Sequence, residues 1–506
     1  MKKQYSPLIL ALVILVLGVS QPSRAAECVR VVGYEPWTGQ QTIDPAFNTI
    51  QTDVQLIMAL YEPLIWVDNN FGLVPRLAKS WEANADGTVW TFKLQEGVKF
   101  HDGSDFDAED VVYTYRRLIA EETASPASAV LGFLTAEGIE AVDSHTVKFT
   151  ANTPTAELPF LLSNKFALIV SSDDTTAQIK NKANGTGPFT LDEFSPAAVR
   201  LVMHANPSYW QEGLPKSDCL ELSSIAESVA RAAAVMAGQA DVLLAVDAST
   251  VISLGDDAKV TIAKTEAGPL MMMWMMTDVA PYDDVRVRKA MKLVIDREKM
   301  VELALLGYGS PGNDNPIPPS SPAAYRSDVI QQDIPQAKAL LAEAGYPNGL
   351  KVDLYTGATD LYPGTLVMVQ AYKEMASEAG IDVTIIPAPN DSYWDEIWMK
   401  KPFTSLYWSL RPPSSALPIA YTSDAPYNGT HWYNKEFDNL VATASKTVDA
   451  DKRGDLYREA QRLLAEDGGH ILPMFSSVVS LMREGCSGFQ PHTSVNRVQY
   501  QEIHCD

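Results

Sequence analysis

The chain has 506 residues, of which 40 are Lys or Arg and 63 are Asp or Glu, so its formal net charge at pH 7 is −23. A surface with this excess of acidic groups repels nucleic acids and anionic lipids, which argues against proteins that bind either through a basic face. A chain of this length exceeds what one hydrophobic core usually holds and predicts two or three domains.

The first 25 residues have the pattern of an export signal. Lys2 and Lys3 precede an uncharged apolar run over residues 8–18, and small residues occupy the two positions that determine a cut after Ala25. The run is too short for a transmembrane helix, which needs about 20 residues. We therefore predict a secretory signal peptide over residues 1–25.

The residues after the predicted cut argue against a lipid anchor. Cys28 lies close to the cut, but Glu27 precedes it where a lipoprotein signal needs a small residue. We expect an exported protein that is free in the periplasm.

The stretch over residues 60–118 is the most informative part of the chain. The Asp-Gly pair at 86–87 is a hairpin signal, and apolar residues alternate with polar ones over 90–94, which predicts a strand with one apolar face. Asp107 can cap the helix that follows, with Asp110 at the third position of a capping box. The stretch therefore predicts a strand, a turn, a second strand and a helix.

The motifs of this stretch resemble the extracytoplasmic solute-binding proteins of peptide-type ABC importers, the oligopeptide- and dipeptide-binding family (solute-binding protein family 5). The motifs are Tyr61–Leu64, Pro75–Glu82, Asp86–Leu94 and Phe100–Gly103. Further blocks extend the resemblance over most of the chain, and they are residues 185–189, 206–210, 232–241 and 284–298.

The resemblance implies an α/β fold of the periplasmic binding protein type II kind, with two lobes around a hinge and an extra domain inserted in the first lobe. Lobe I would be discontinuous, domain II would be the insertion, and lobe III would be a further α/β unit. Their expected bounds are 27–66 with 187–266 and 478–506 for lobe I, 67–186 for domain II, and 267–477 for lobe III. Two chain crossings near 266 and 477 would form the hinge, and a solute in the cleft would stabilise the closed state.

Four cysteines in an exported chain indicate two disulfides, for which sequence alone allows three pairings. Cys486 and Cys505 are close in sequence and flank a strand-like segment, so we expect them to pair. Cys28 would then pair with Cys219, and the resemblance supports this because it assigns both segments to one domain. No cysteine has another cysteine or a histidine at metal-ligand spacing, so we expect no metal site.

The string Met271–Met276 admits two interpretations. Methionines can form a soft-metal site, or they can fill irregular space in a buried strand beside the hinge. Alternation favours the second, with Met271, Met273 and Met275 on one face. Trp274 remains a candidate residue facing the cleft.

Two further pairs of residues are candidates because the resemblance places them near the ligand cleft. Tyr61 and Glu62 match a family motif with an acidic residue there, although Glu62 could instead form a cap or an ion pair. His431 could donate to a ligand and Trp432 could stack on it, or His431 could be structural.

Trp408 and Arg411 form the strongest candidate site. Family members that bind peptides have an aromatic residue at the first position and, three residues later, an aspartate that holds the ligand's α-ammonium group. This chain keeps the aromatic residue but has Arg411 in place of the aspartate. An arginine binds carboxylate or phosphate, so we expect a ligand with an acidic group there, such as an opine-like solute or an amino-acid conjugate. The alternative is an arginine paired to a structural acid.

The sequence therefore predicts a periplasmic substrate-binding subunit of an ABC importer for peptides or peptide-like solutes, acting as a monomer with an inner-membrane permease and cytoplasmic ATPases. We expect no cofactor and no catalysis, because neither a Gly-x-Ser-x-Gly elbow nor a His-Glu-x-x-His motif occurs and an exported hydrolase is disfavoured. A non-peptide acidic solute, or a role as a ligand-presenting sensor or a chaperone, remains open at this point.

Overall fold

The computed structural model describes residues 28–33, 35–255, 259–494 and 497–506, and the predicted signal peptide lies outside these ranges. The strands are, in chain order, β1 Val29–Val32, β2 Ile65–Val67, β3 Leu73–Pro75, β4 Ala78–Ala83, β5 Val89–Leu94, β6 Leu134–Asp143, β7 Thr146–Ala151, β8 Phe189–Thr190, β9 Arg200–Ala205, β10 Cys219–Ser223, β11 Val242–Leu243, β12 Val260–Lys264, β13 Leu270–Met275, β14 Gly309–Pro311, β15 Leu350–Gly357, β16 Ile381–Ala388, β17 Phe403–Trp408, β18 His470–Ser476, β19 Val479–Arg483, β20 Cys486–Ser487 and β21 His504–Cys505.

The α-helices are, in chain order, α1 Gln51–Ile57, α2 Ala108–Ile119, α3 Leu158–Leu162, α4 Thr176–Asn181, α5 Ser228–Met236, α6 Ala248–Leu254, α7 Val285–Leu293, α8 Arg297–Leu305, α9 Ile334–Glu343, α10 Thr365–Glu378, α11 Asn390–Glu396, α12 Pro413–Ala420, α13 Lys435–Ala444 and α14 Ala450–Asp467. Within the described ranges, none of these helices combines the length and apolar character that crossing a bilayer requires.

A seven-stranded sheet joins distant parts of the chain, in the order β12-β19-β11-β1-β10-β9-β8. Its centre is parallel, since β1 pairs in parallel with β10 and β11, and the other pairings are antiparallel. Both expected disulfides are present: Cys28–Cys219 ties the start of β1 to β10, and Cys486–Cys505 joins β20 to β21. We call this sheet with α1, α5 and α6 the seven-stranded region.

A four-stranded antiparallel sheet, ordered β4-β5-β7-β6, is packed against α2 and forms the four-stranded region. The predicted hairpin turn occurs at Gly87, whose φ is +71°. The predicted capping box is also present, because Asp107 accepts from the backbone of α2 and Asp110 Oδ2 accepts from Asp107 N at 2.9 Å. Phe92 and Leu94 on β5 are fully buried, as the alternation predicted.

A six-stranded sheet, ordered β14-β18-β13-β17-β15-β16, forms the six-stranded region with α7 to α14. The methionine string is its central strand, β13, and every residue of the strand is buried. Met271, Met273 and Met275 pack into the core on one face, while Met272 and Trp274 pack into a second core on the other. The structure confirms the core-packing interpretation of this string.

Two short crossings connect the seven-stranded and six-stranded regions, between β12 and β13 and between β18 and β19. They are hydrogen-bonded to each other, because Thr265 N donates to Val478 O at 3.0 Å and Val478 N donates to Thr265 Oγ1 at 2.9 Å. Ser476 N also donates to Pro269 O at 2.8 Å. The chain therefore crosses at two adjacent places, close to the residues at which the resemblance implied a hinge.

Candidate functional site

A cavity of about 380 Å³ lies between the seven-stranded and six-stranded regions, beside the two crossings. Pro269 and residues 477–479 of the crossings line its base. One wall comes from α1, α5 and the segment before α6, and the other from Tyr362 and the end of β17. We call this space the main cavity.

The charged groups that line the main cavity come from the seven-stranded region: Glu35, Arg231 and Asp247. Arg231 is held in place because Nη1 donates to the carbonyl oxygens of Ile225 and Ala226, just before α5, each at 2.9 Å. Asp247 is exposed, and its carboxylate accepts a long hydrogen bond of 3.4 Å from Ser228 Oγ. This wall therefore presents one cation and two anions.

The opposite wall is aromatic. The rings of Tyr362 and Tyr407 lie 5.1 Å apart, and the Tyr362 hydroxyl is 3.1 Å from Ser476 Oγ. Burial raises the pKa of Tyr362, so its phenol is neutral at physiological pH. This wall offers ring faces and hydroxyl groups to a ligand and no charge.

Two buried polar atoms belong to residues that line the main cavity. Within the described residues, neither Gln51 Oε1 nor Thr493 Oγ1 has a hydrogen-bond partner. Thr493 is 8% exposed. An unpaired buried polar group costs about 1–3 kcal/mol, so both atoms favour a ligand that can bond to them.

Trp408 and Arg411 lie next to the main cavity, because Ser409 and Leu410 between them line it, although neither predicted residue does so itself. The Arg411 guanidinium carbon lies 5.0 Å from the centre of the Trp408 ring, and Nη1 donates to Ser409 O at 3.2 Å. Burial lowers the pKa of Arg411. Among the described residues no carboxylate forms an ion pair with Arg411, so the alternative of a structural acid partner does not hold for them.

Trp274 lies beneath Trp408, with the two rings 6.1 Å apart. It is 1% exposed, and its Nε1 donates to Met272 Sδ at 2.8 Å. Trp274 therefore supports the floor under Trp408 and does not line the main cavity.

Tyr61 and Glu62 lie at the junction of the seven-stranded and four-stranded regions, away from the lining of the main cavity. Both are buried, and burial raises the pKa of Glu62. The Glu62 carboxylate accepts three side-chain hydrogen bonds, from Thr186, Tyr209 and Trp210. These contacts join parts of the fold, and a contact of either residue with a ligand stays a prediction.

His431 and Trp432 also have protein partners and do not line the main cavity. His431 Nδ1 is 2.9 Å from Asp278 Oδ2. Trp432 is 3% exposed, and its Nε1 donates to Asp467 Oδ2 at 2.7 Å. Their role in ligand binding stays a prediction.

The sequence analysis did not single out Arg231, Asp247, Tyr362 or Tyr407. Tyr407 precedes Trp408 in β17, and successive residues of a strand point to opposite faces, so a prediction that placed Trp408 at the cleft pointed Tyr407 away from it. Nothing local to the other three distinguishes them from surface residues of helices and turns.

Comparison with known proteins agrees with this architecture. The chain is 26% identical over 467 residues to the glutathione-binding protein GsiB of Escherichia coli strain K12, covering 88% of this chain and 89% of that protein. It is 28% identical over 441 residues to heme-binding protein A of Haemophilus influenzae, covering 80% and 79% of the two chains. The solved structure of the periplasmic murein tripeptide-binding protein MppA, in its unliganded open form, superposes with a TM-score of 0.84 at 23% identity, covering 95% of this chain and 97% of that one.

A family profile gives the assignment. Residues 72–429, which are more than half of the chain, match the middle part of the bacterial extracellular solute-binding proteins, family 5. The fold, of the periplasmic binding protein type II kind, and the cavity between two regions joined by paired crossings agree with that match. The chain belongs to family 5 of the bacterial extracellular solute-binding proteins.

Proposed function

We propose that this protein captures peptides or peptide-like solutes in the periplasm, as a monomer, and that a ligand in the main cavity closes its lobes around the hinge. Family membership makes the chain a solute-binding protein of an ABC importer without catalytic activity, which delivers its ligand to a permease. The finer assignments belong to the proposal: cytoplasmic ATPases behind the permease, and a mature chain without a lipid anchor.

The three regions support the expected domain bounds. Lobe I (27–66, 187–266 and 478–506) would contain the seven-stranded sheet, domain II (67–186) the four-stranded sheet, and lobe III (267–477) the six-stranded sheet. The hydrogen-bonded crossings between lobes I and III then provide the hinge, since few residues need to change their backbone angles for the lobes to move.

Two of the relatives are named for peptide-like ligands, whereas heme-binding protein A is named for heme. Glutathione, named for GsiB, and a murein tripeptide, named for MppA, are both peptide-like and both carry carboxylates. We infer a ligand of this class for the present chain.

The Arg411 guanidinium is the observation that carries this proposal. It stacks on Trp408 beside the cavity, and no carboxylate of the described residues pairs with it. Guanidinium groups bind carboxylates through paired, charge-assisted hydrogen bonds. A ligand carboxylate at Arg411 would supply the missing counter-charge, for a peptide as well as for an opine-like solute.

Calorimetry on protein freed of bound ligand by unfolding and refolding tests the proposal. The probes are glutathione, trialanine and a tripeptide with one acidic side chain, each also with its carboxylates amidated. Arg411→Gln should weaken binding of the acid-bearing probes about 10- to 100-fold, since a hydrogen bond to a charged group contributes about 1.5–3 kcal/mol. The amidated probes should lose little.

Arg326→Gln is the matched control, because Arg326 is paired with Asp328 at a site that does not line the main cavity. Equal affinities of wild type and Arg411→Gln for every acid-bearing probe would refute the anchoring role of Arg411. Failure of all peptide probes to bind would refute the peptide assignment.

A further inference from the structure

We propose that the main cavity recognises an amino-acid-like end of the ligand, in which an ammonium and a carboxylate are attached to the same carbon. Arg231 would bind the carboxylate and Asp247 the ammonium group. This inference rests on the proposed function and specifies the part of the solute that enters between lobes I and III.

Neither charge is neutralised by an ion pair with any residue that the structure describes. The Arg231 guanidinium donates to backbone carbonyls, and no acid among the described residues pairs with it. The Asp247 carboxylate accepts a hydrogen bond from the Ser228 hydroxyl group, and no basic side chain among the described residues pairs with it. A pair of opposite charges that line one cavity without pairing is suited to a ligand that carries both complementary charges.

The spacing of the two groups fits one compact end group. Asp247 contacts Ser228, and Ser228 precedes Arg231 by three residues on α5. Residues three apart on a helix are neighbours on one face, with Cβ atoms about 5–6 Å apart. Arg231 Nη1 is bonded to the carbonyls of Ile225 and Ala226, and the Asp247 carboxylate is bonded to Ser228 Oγ, so both charged groups are held against the short stretch 225–228. An α-amino acid group with a hydrogen bond at each charge spans the short distance between them, whereas the two ends of an extended tripeptide are too far apart.

The remaining lining groups suit the same occupant. Glu35 adds a second negative charge to this wall, so an ammonium group is favoured and a carboxylate is accepted only at Arg231. Thr493 Oγ1 and Gln51 Oε1 have no hydrogen-bond partner among the described residues, so each can bond to the ligand. The uncharged rings of Tyr362 and Tyr407 form the facing wall without competing for either charge.

The rest of the ligand has space beyond this end group. A second cavity of about 260 Å³ adjoins the main one at Leu410 and Thr493. Leu410 immediately precedes Arg411, so the ligand can extend from the amino-acid-like end towards that arginine. A solute such as a γ-linked peptide has this arrangement, because its α-amino and α-carboxylate groups remain together at one end and a further carboxylate is at the other.

Calorimetry with γ-glutamylglycine and α-glutamylglycine tests this inference. The isomers have the same composition and charge, but only the γ-linked one keeps a free ammonium and a free carboxylate on the same carbon of its glutamyl residue. Wild type should bind γ-glutamylglycine at least 10-fold more tightly than its isomer. Arg231→Gln and Asp247→Asn should each reduce its affinity at least 10-fold. N-acetyl-γ-glutamylglycine should bind wild type weakly, with no further loss in Asp247→Asn.

Matched controls are Arg200→Gln, which removes an exposed arginine of the same region, and Asp395→Asn, which removes an exposed acid of the opposite one. Both should keep wild-type affinity. Thermal unfolding checks that each variant is folded, and Arg231→Lys provides a second variant if Arg231→Gln is not.

Equal binding of the two isomers, or no binding of either, would overturn this inference. The proposed function would survive that result if trialanine or glutathione still bound, and it would fail together with the inference only if no peptide bound.

Discussion

His492 connects the C-terminal segment to β2 through both ring nitrogens. Ser494 N donates to Nδ1 at 2.9 Å, which leaves the proton on Nε2, and Nε2 is 2.9 Å from Val67 O. Protonation of Nδ1 would break the first contact. Burial, with the nearby positive charge of Arg497, lowers the pKa of His492 to about 4.

This pKa predicts a loss of stability in acid. The folded protein holds His492 neutral down to about pH 4, whereas the ordinary histidine pKa is 6.5, so below pH 6.5 the unfolded chain binds more protons. The contribution of His492 is therefore fully present above pH 6.5 and declines as the pH falls towards 4. Between pH 7 and pH 5 the loss is about 2 kcal/mol.

Urea unfolding of wild type and His492→Gln at pH 7 and pH 5 measures this contribution. The decrease in the free energy of unfolding should be about 2 kcal/mol smaller in the variant. Asp53 and Asp110, whose pKa values burial raises to about 6, are present in both proteins and cancel in the difference. An equal decrease in both proteins would show that His492 does not titrate in this way.

At the scale of the element, local patterns of the sequence predicted a good part of the structure. The turn at Gly87, the buried face of β5 and the capping box of Asp107 with Asp110 each depend on residues a few positions apart. The same holds for the two faces of β13. Period and capping chemistry determine such features, so they can be read without knowledge of the rest of the fold.

The walls of the main cavity could not be predicted in this way. Arg231 and Asp247 come from α5 and the start of α6, and Tyr362 and Tyr407 face them from more than 100 residues later in the chain. Their proximity is a result of tertiary packing and leaves no local signal. Trp408 and Arg411 were found because a family motif covers them, and the motif did not extend to their neighbours.

The structure explains the glycines at positions 185 and 187, for which the local sequence gives no reason. The segment that carries them pairs with the chain just after α1, since Gly187 N donates to Leu60 O at 3.0 Å. A Cβ atom at Gly187 would lie 2.5 Å from the carbonyl carbon of Leu60, and one at Gly185 would lie 2.0 Å from its oxygen. Two backbones touch here, so only glycine fits.

We expect Gly187→Ala to lower the free energy of unfolding by about 3 kcal/mol, because backbone on both sides must move. Gly132→Ala is the matched control, since the nearest atom to its Cβ would be 3.5 Å away. Chemical denaturation of the two variants and wild type measures the difference. A Gly187→Ala protein as stable as Gly132→Ala would contradict the close approach of the two backbones.

At the scale of the whole molecule, the four-stranded region is tied to both of its neighbours. Arg117 forms a buried ion pair of 2.5 Å with Asp44, which lies between β1 and α1. Towards the six-stranded region, Tyr457 Oη donates to Glu157 Oε2 at 3.0 Å, and Ala156 N donates to Ser445 O at 3.1 Å. All three regions therefore contact each other, and the main cavity lies beside the crossings that join two of them.

The adjacent crossings at 265–269 and 476–479 allow the seven-stranded and six-stranded regions to move about one joint without breaking a sheet, and the contacts at Glu157 and Ala156 must break or shift when they do. A ligand that bridges Arg231 and Asp247 of one wall to the rings of the other contacts both walls only when they are close. Such a ligand binds the closed arrangement better than the open one, and it shifts the population accordingly.

Small-angle X-ray scattering with and without a saturating concentration of a peptide that binds in calorimetry tests this closure most directly. We predict a smaller radius of gyration for wild type with peptide than without it. At a peptide concentration that leaves most of the Arg411→Gln protein unbound, the radius of gyration of this variant should equal that of the free protein. An unchanged scattering curve at full occupancy would contradict the closure of two lobes around a captured solute.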